Sequence, residues 1–187
     1  MNKLVPSIVL AAALFASCSD DEPQAASSTL ATTTTTADLG PAVDPASVPV
    51  YTSAEVCALV SQETAATTLG VEISEVSEVD MSTPQCSYEY TAADGVRSNL
   101  TLAVQRPLED LGGAAGPAGF ERATSLVLFD TPYEPLANLG DAAAVSASES
   151  LTIIAVLAND QVFTVVTSTP IDLANLVAFA TEVAANV

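Results

Sequence analysis

The sequence predicts an α+β domain, in which an antiparallel β-sheet carries N-terminal and C-terminal helices on one face and contains one disulfide. Three observations support this fold class. A helix-start signature lies near residue 52, two strand-like segments flank an Asp-Gly pair at 94–95, and an apolar run at 151–157 precedes an amphipathic C-terminal stripe. Helical patterns at both ends with strand patterns between them are typical of this class.

Two short helices are predicted at the start of the domain. Thr52 and Glu55 have the spacing of a capping box, in which each side chain accepts a hydrogen bond from the backbone N–H of the other residue. Apolar residues follow at helical spacing. A second helix is predicted over 62–69, with Ser61 as its N-cap and Gly70 as its end, because glycine readily adopts the left-handed conformation that follows many helices.

The middle of the chain predicts three strands. Residues 71–80 repeat glutamate every three positions, which fits neither regular period, and we assign them to an irregular strand. Residues 86–90 alternate between inward and outward positions, as a half-buried strand does. Asp94-Gly95 predicts a hairpin turn, after which alternate residues from Val96 to Val104 form one face of the returning strand.

The second half begins with a predicted loop over residues 107–119, which contain two prolines and four glycines. Residues 120–129 fit a helix that turns into an edge segment, although their periodicity does not decide the matter. The nearly continuous apolar run at 151–157 is typical of a central strand. Asn159-Asp160 makes the turn, and residues 162–167 return as the partner strand.

The chain ends with a predicted amphipathic helix. Thr169-Pro170 opens it with proline at the first helical position, and Asp172 lies near its positive end. Apolar residues then recur at helical spacing and predict the stripe that packs on the sheet. This stripe comprises Leu173, Leu176, Val177, Ala180 and Val183.

Residues 1–17 have the form of a bacterial signal peptide. A short basic start is followed by the apolar stretch Leu4–Phe15 and the small pair Ala16-Ser17. As a helix this stretch covers only about 20 Å, less than the roughly 30 Å core of a bilayer. Small residues before Cys18 resemble a lipobox, which implies that Cys18 is lipidated and anchors the protein to the outer face of the cell membrane. The alternative is an ordinary secretory signal with an incidental cysteine.

Residues 18–50 are predicted to be a disordered tether between the lipid and the domain. They are rich in Ser, Thr, Pro and Ala, contain the tract Thr32–Thr36, and show neither a helical nor a strand period. The single folded domain is therefore predicted to span residues 51–187.

Cys57 and Cys86 remain once Cys18 is lipidated. In an oxidising compartment an even pair in a small domain most simply forms a disulfide, here between the first helix and the strand at 86–90. The alternative is a redox or metal pair, which lacks CxxC spacing and has no histidine to complete a site. Tyr88 and Tyr90 point to the same side as Cys86 in a regular strand, so we expect them in the core.

Acidic residues outnumber basic ones 23 to 4, giving a formal net charge of −19. Such a surface repels phosphate backbones, so the sequence argues against nucleic-acid binding, and it also argues against docking on anionic lipid except through the N-terminal lipid. Arg97 and Arg106 flank one predicted strand. They are expected either to pair with nearby carboxylates or to mark an anion or partner contact.

The inventory of chemically reactive side chains is small. The chain has no histidine, and its only lysine, Lys3, lies in the predicted signal peptide. Histidine-dependent and lysine-dependent mechanisms are therefore excluded, and the sequence predicts no catalytic residue, metal site or cofactor. A pair of carboxylates is the remaining way to do chemistry. The candidates are Glu72, Glu75, Glu78 and Asp80, which we interpret as a solvated face.

The segments "SAEVCALVSQETAATTLG", "PQCSYEY" and "LGDAA", followed by an apolar hairpin and a terminal helix, resemble a family of small actinobacterial cell-envelope lipoproteins. The resemblance spans residues 52–185. It implies an uncharacterised domain with a cysteine pair, related to extracellular sensor-type domains, and it implies no catalytic residues.

Together these observations predict a lipid-anchored extracytoplasmic binding or accessory module of the cell envelope. Its expected partner, besides the membrane, is an envelope protein or a small ligand. Two alternatives remain at this stage: a carboxylate-dependent cell-wall hydrolase and a passive structural envelope lipoprotein.

Overall fold

The computed structural model describes residues 42–125, 131–168 and 171–187. Several predictions from the sequence lie outside these residues: the signal peptide, the lipidation of Cys18, the tether up to residue 41, residues 126–129 of the predicted helix-to-edge segment, and the Thr169-Pro170 helix start.

The folded part of the chain includes residues that the sequence assigns to the tether. Residues Pro45–Ser47 form a 3-10 turn, capped by the side chain of Asp44, which accepts the N–H of Ala46 at 3.0 Å. Val48 is 5% exposed. The folded region thus starts before Tyr51, with a local cap and a buried valine stabilising this short segment.

Four α-helices and seven β-strands occur in the described residues. The helices are α1 (Ser53–Ala58), α2 (Gln62–Leu69), α3 (Gly116–Ser125) and α4 (Leu173–Ala184). The strands are β1 (Ile73–Asp80), β2 (Pro84–Thr91), β3 (Arg97–Val104), β4 (Glu134–Leu136), β5 (Ala142–Ala147), β6 (Thr152–Ala158) and β7 (Gln161–Thr167). All strands pair antiparallel in one sheet, in the order β1-β2-β3-β7-β6-β5-β4.

The two N-terminal helices have the predicted caps. Thr52 N–H donates to Glu55 Oε2 at 2.8 Å, and Glu55 N–H donates to Thr52 Oγ1 at 3.3 Å, which completes the capping box. Ser61 Oγ accepts the N–H of Thr64, and Gly70 ends α2 with φ of +68°. These ends were predictable because each cap depends on residues close in sequence.

Helices α1, α2 and α4 cover one face of the sheet, as predicted for the N-terminal and C-terminal helices. The core between them is apolar and contains the fully buried rings of Tyr88, Tyr90, Phe163 and Phe179. The α+β class, the antiparallel sheet and the single disulfide are therefore confirmed.

Helix α3 lies on the opposite face, so the sheet is covered on both sides along β5, β6 and β7. Phe120 of α3 packs in a second apolar cluster with Ala144, Ala155 and Leu157. The sequence of β6 explains this arrangement, because apolar residues at consecutive positions place apolar side chains on both faces.

The disulfide joins Cys57 of α1 to Cys86 of β2, which are 29 positions apart in sequence, with 5.0 Å between their Cα atoms. Cys86 is fully buried, and Cys57 is half-buried. A structural disulfide indicates an extracytoplasmic environment. In the parts of the chain that the structure describes, no helix has the length and apolar character needed to cross a bilayer.

Side chains from α1 and α2 cover the free edge of β1. Ser53 Oγ donates to the Val79 carbonyl at 3.1 Å, and Gln62 Nε2 donates to the Ile73 carbonyl at 2.7 Å. Cys57 Sγ lies 3.5 Å from the Ser77 carbonyl oxygen, which is a contact only, because a disulfide sulfur carries no proton. The hydrogen bonds from Ser53 and Gln62 occupy two β1 carbonyls that an added strand would otherwise use.

Two predicted helix boundaries need correction. The predicted loop at 107–119 contains the start of α3 at Gly116, because Pro117 is tolerated in the first turn of a helix. Helix α4 begins at Leu173, later than predicted, since Asp172 is its N-cap and its side chain accepts the N–H of Ala174 at 2.9 Å.

Two residues predicted to be buried are exposed. Leu173 is 42% exposed, because it is the first residue of α4 and lies before the buried stripe. Val96 is 56% exposed, because it belongs to the turn after Gly95 and β3 starts only at Arg97.

Strands β4 and β5 had no counterpart in the sequence predictions. Both are short, β4 contains Pro135, and β5 opens with three alanines. Neither proline nor alanine favours a strand, so their conformation follows from the pairing of β5 with β6 and of β4 with β5, and not from local preference.

Candidate functional site

The largest described cavity lies on the α3 side of the sheet, between α3, β4 and β5, and we call it the α3–β4–β5 cleft. Its volume is about 550 Å³. Phe120 and Thr124 of α3, Tyr133 and Pro135, and the run 141–144 contribute to its lining. Ligand-binding cavities commonly have volumes of roughly 300–1,000 Å³, so the cleft has the size of a small-molecule site.

The alanines of β5 leave the space for the cleft. Ala142 and Ala144 lie on the face that α3 covers, whereas Ala143 belongs to the core on the opposite face. Larger side chains at Ala142 and Ala144 would fill the gap beside Phe120. Pro135 pairs with Ala144 on the edge strand, where its missing N–H is tolerated.

Asp141 is the charged side chain of the cleft, and backbone contacts hold it in place. Its N–H donates to the Leu157 carbonyl at 2.8 Å, and its Oδ2 accepts the N–H of Asn159 at 3.0 Å. The preceding residue must be glycine, because Gly140 has φ of +57° and a Cβ there would collide with the Leu157 carbonyl oxygen. The carboxylate is therefore fixed at the end of β6.

Tyr133 forms a wall shared by the cleft and a second cavity of about 240 Å³. The side chain is half-buried, and burial raises the pKa of its hydroxyl above the ordinary value. Tyr133 therefore remains a neutral phenol at physiological pH, able to donate or accept a hydrogen bond. The second cavity also contains polar groups from Gln105, Asp110 and Thr164.

Arg106, one of the two predicted contact residues, lies at the start of the loop that borders the second cavity. Its Nε is 3.5 Å from Asp110 Oδ2 and 3.9 Å from Glu109 Oε2. Asp110 Oδ2 also accepts the backbone N–H of Arg106 at 2.8 Å. Arg106 is thus paired with carboxylates of its own loop, which was the first of the two expectations for it.

Arg97, the other predicted contact residue, lies at the opposite end of β3. Its Nη2 is 3.8 Å from Glu89 Oε2, and its side chain is 78% exposed. The pair borders a shallow depression of about 270 Å³, together with Ser87 and Asn99. The structure therefore does not bring Arg97 and Arg106 together, and neither lines the cleft.

The acidic residues singled out in the sequence lie on or just before β1. Glu75, Glu78 and Asp80 belong to that edge strand, Glu72 precedes it, and none of them lines the four cavities described. Each of these cavities has a single carboxylate among its described lining residues: Asp141, Asp110, Glu89 or Glu149. Nor does the described part of the chain contain a group of three acidic, cysteine or histidine side chains that could hold a metal.

Sequence reasoning missed the residues of the cleft. Phe120 was placed on a helix, but Tyr133, Asp141 and Ala142 had no assigned role. One local signal was present: Gly140-Asp141 before an alanine run indicates a turn into a strand of small side chains. That signal does not show which helix lies opposite, because α3 is about 20 positions earlier in sequence.

Fold and cavity together define a disulfide-stabilised α+β domain with a ligand-sized cleft on the face opposite its N-terminal and C-terminal helices. Comparison with family models, curated proteins and solved structures gives no match for this chain.

Proposed function

We propose that the protein is a lipid-anchored extracytoplasmic binding module, and that the α3–β4–β5 cleft takes up the apolar part of a small ligand. In this proposal Cys18 carries the lipid and the following segment links it to the domain. The disulfide between Cys57 and Cys86 supports an extracytoplasmic location. The α3–β4–β5 cleft supports the binding of a small ligand.

The observation that carries the proposal is the combination of volume and lining in the cleft. Its volume of about 550 Å³ fits a small molecule, and most of its described side chains are apolar. Thr124, Tyr133 and Asp141 add polar groups at separate positions. An apolar cavity with a few polar groups binds ligands by removing apolar surface from water and orienting them through hydrogen bonds.

Binding is favoured over the alternative of glycan hydrolysis. A two-carboxylate glycosidase needs both acids to face one substrate, about 5–10 Å apart. Asp141 is the only acid among the described residues that line the cleft. The described cleft therefore supplies a place for a ligand without the pair of groups that this mechanism requires.

Calorimetric titration with a neutral amphiphile tests the proposal. The oxidised full chain carrying Cys18→Ser is titrated with octyl glucoside below its micelle concentration. Ala142→Phe fills the cleft from the β5 side and should weaken binding more than tenfold. Ala147→Phe places the same side chain at the exposed end of β5 and should leave binding unchanged.

The two variants show whether octyl glucoside binds in the cleft or elsewhere. Binding that Ala142→Phe removes and Ala147→Phe retains supports the cleft as the site. The proposal is wrong if octyl glucoside does not bind, or if both variants bind it as tightly as the parent chain does.

A further inference from the structure

We infer that the ligand of the α3–β4–β5 cleft is a cationic amphiphile, with one positively charged group attached to an apolar body. This inference rests on the proposed function and adds the chemical class of the ligand. It follows from the ion pairs that the acids lining the described cavities form, or do not form, with arginine.

Two of those acids already have a cationic partner. Glu89 is paired with Arg97, and Asp110 is paired with Arg106. Each arginine offsets part of the charge that its carboxylate presents to the cavity. These two cavities are therefore poorer sites for a second cation.

Asp141 differs from them. It takes part in none of the ion pairs formed among the described residues, and its carboxylate accepts a hydrogen bond from the backbone N–H of Asn159. That hydrogen bond fixes its position without neutralising its charge. The residue lines the cleft and is exposed, so a charged head group bound to it can remain in contact with water.

The surroundings of Asp141 favour the same ligand. Phe120 and Tyr133 line the cleft, and aromatic rings attract cations as well as apolar chains. The formal net charge of −19 adds a long-range attraction for cations. An anionic ligand of the same shape would meet Asp141 with like charge.

Three probes with the same apolar chain separate the contributions of the chain and the head group. Octyltrimethylammonium, octyl glucoside and octyl sulfate are titrated below their micelle concentrations into the oxidised full chain carrying Cys18→Ser. The ammonium compound should bind about tenfold more tightly than the sulfate, from one ion pair and one cation–π contact. The neutral glucoside should lie between them.

Asp141→Asn assigns the preference to one side chain. Asparagine keeps an oxygen that accepts the Asn159 N–H, so the turn is preserved while the charge is lost. Glu149→Gln is the matched control, since Glu149 also lines a described cavity and is in none of the ion pairs among the described residues, yet that cavity is separate and only about 110 Å³. We expect Asp141→Asn to bring the ammonium-to-sulfate ratio close to one and Glu149→Gln to leave it nearly unchanged.

The outcomes distinguish this inference from the proposed function. If all three probes bind equally, or if Asp141→Asn keeps the preference, the cationic class is wrong while the cleft remains a binding site. If octyl glucoside does not bind, the proposed function fails as well. A preference lost in Asp141→Asn and kept in Glu149→Gln supports both.

Discussion

Tyr88 of β2 packs edge-to-face against Phe179 of α4, with 5.3 Å between ring centroids and 80° between ring planes. Its hydroxyl donates to the Val60 carbonyl at 3.1 Å, in the segment that joins α1 to α2. Burial raises the pKa of Tyr88 to about 12. One side chain therefore connects the sheet to the C-terminal helix and to the N-terminal pair of helices.

Tyr88→Phe should lower the free energy of unfolding by about 1–3 kcal/mol, because the ring packing is kept while the buried Val60 carbonyl loses its donor. Urea unfolding followed by circular dichroism measures this change. Tyr133→Phe is the control, since that side chain is only half-buried, and it should change the stability less. Equal stability of Tyr88→Phe and the parent chain would show that the hydrogen bond is unimportant.

Alkaline pH should destabilise the parent chain through the same tyrosine. In the unfolded chain tyrosine loses its proton near pH 10, whereas folded Tyr88 retains it up to about pH 12. Between these values the unfolded state binds fewer protons, so stability falls as pH rises, by about 2–3 kcal/mol in total. Urea unfolding at pH 9 to 12 should show a smaller fall in Tyr88→Phe, and identical slopes would contradict the assignment.

Loss of the disulfide should be strongly destabilising. The bridge closes a loop between residues 29 positions apart, for which the chain-entropy model gives about 3–4 kcal/mol. The double variant Cys57→Ala, Cys86→Ala should therefore unfold at lower urea concentration than the oxidised parent chain. The reduced parent chain is the control and should behave like the double variant. A double variant as stable as the oxidised chain would remove the structural role of the pair.

Lipidation at Cys18 remains a prediction from the sequence. Cys18→Ser should release the protein into the medium or leave the signal uncleaved, without unfolding the domain, because the serine hydroxyl is not a lipidation site. Fractionation of cells and mass measurement of the product test this, with Ser19→Ala as the neighbouring control. A Cys18→Ser protein that still fractionates as a processed, lipid-bearing membrane protein would contradict the lipobox assignment.

Local sequence signals were sufficient to predict the ends of some helices and not of others. The ends of α1 and α2 follow from Thr52, Ser61 and Gly70, which act within one turn of the chain. The start of α4 was misplaced because Thr169 and Asp172 both have cap-forming side chains, and Asp172 is the residue that caps the helix. Sequence alone does not rank two such neighbours.

The candidate site was beyond sequence reasoning for a different reason. The alanines of β5 have little preference for a strand, and their conformation depends on pairing with β6 and β4. The cleft also needs Phe120 of α3, which lies on the sheet face that we did not expect to be covered. The cavity therefore depends on packing between segments that are distant in sequence. The residues that stabilise the domain, such as Cys57 and Cys86, could be identified from the sequence alone.

Amide NMR spectra of the oxidised full chain, recorded with increasing octyl glucoside, test the central claim most directly, because they locate the bound molecule on the structure. We expect the largest chemical-shift changes at Phe120, Thr124 and the run 142–144, with little change at Ser87 and Asn99 beside the Arg97 depression. Ala142→Phe should abolish the changes. Shifts centred on Ser87 and Asn99, or no shifts at all, would contradict the assignment of the α3–β4–β5 cleft as the binding site.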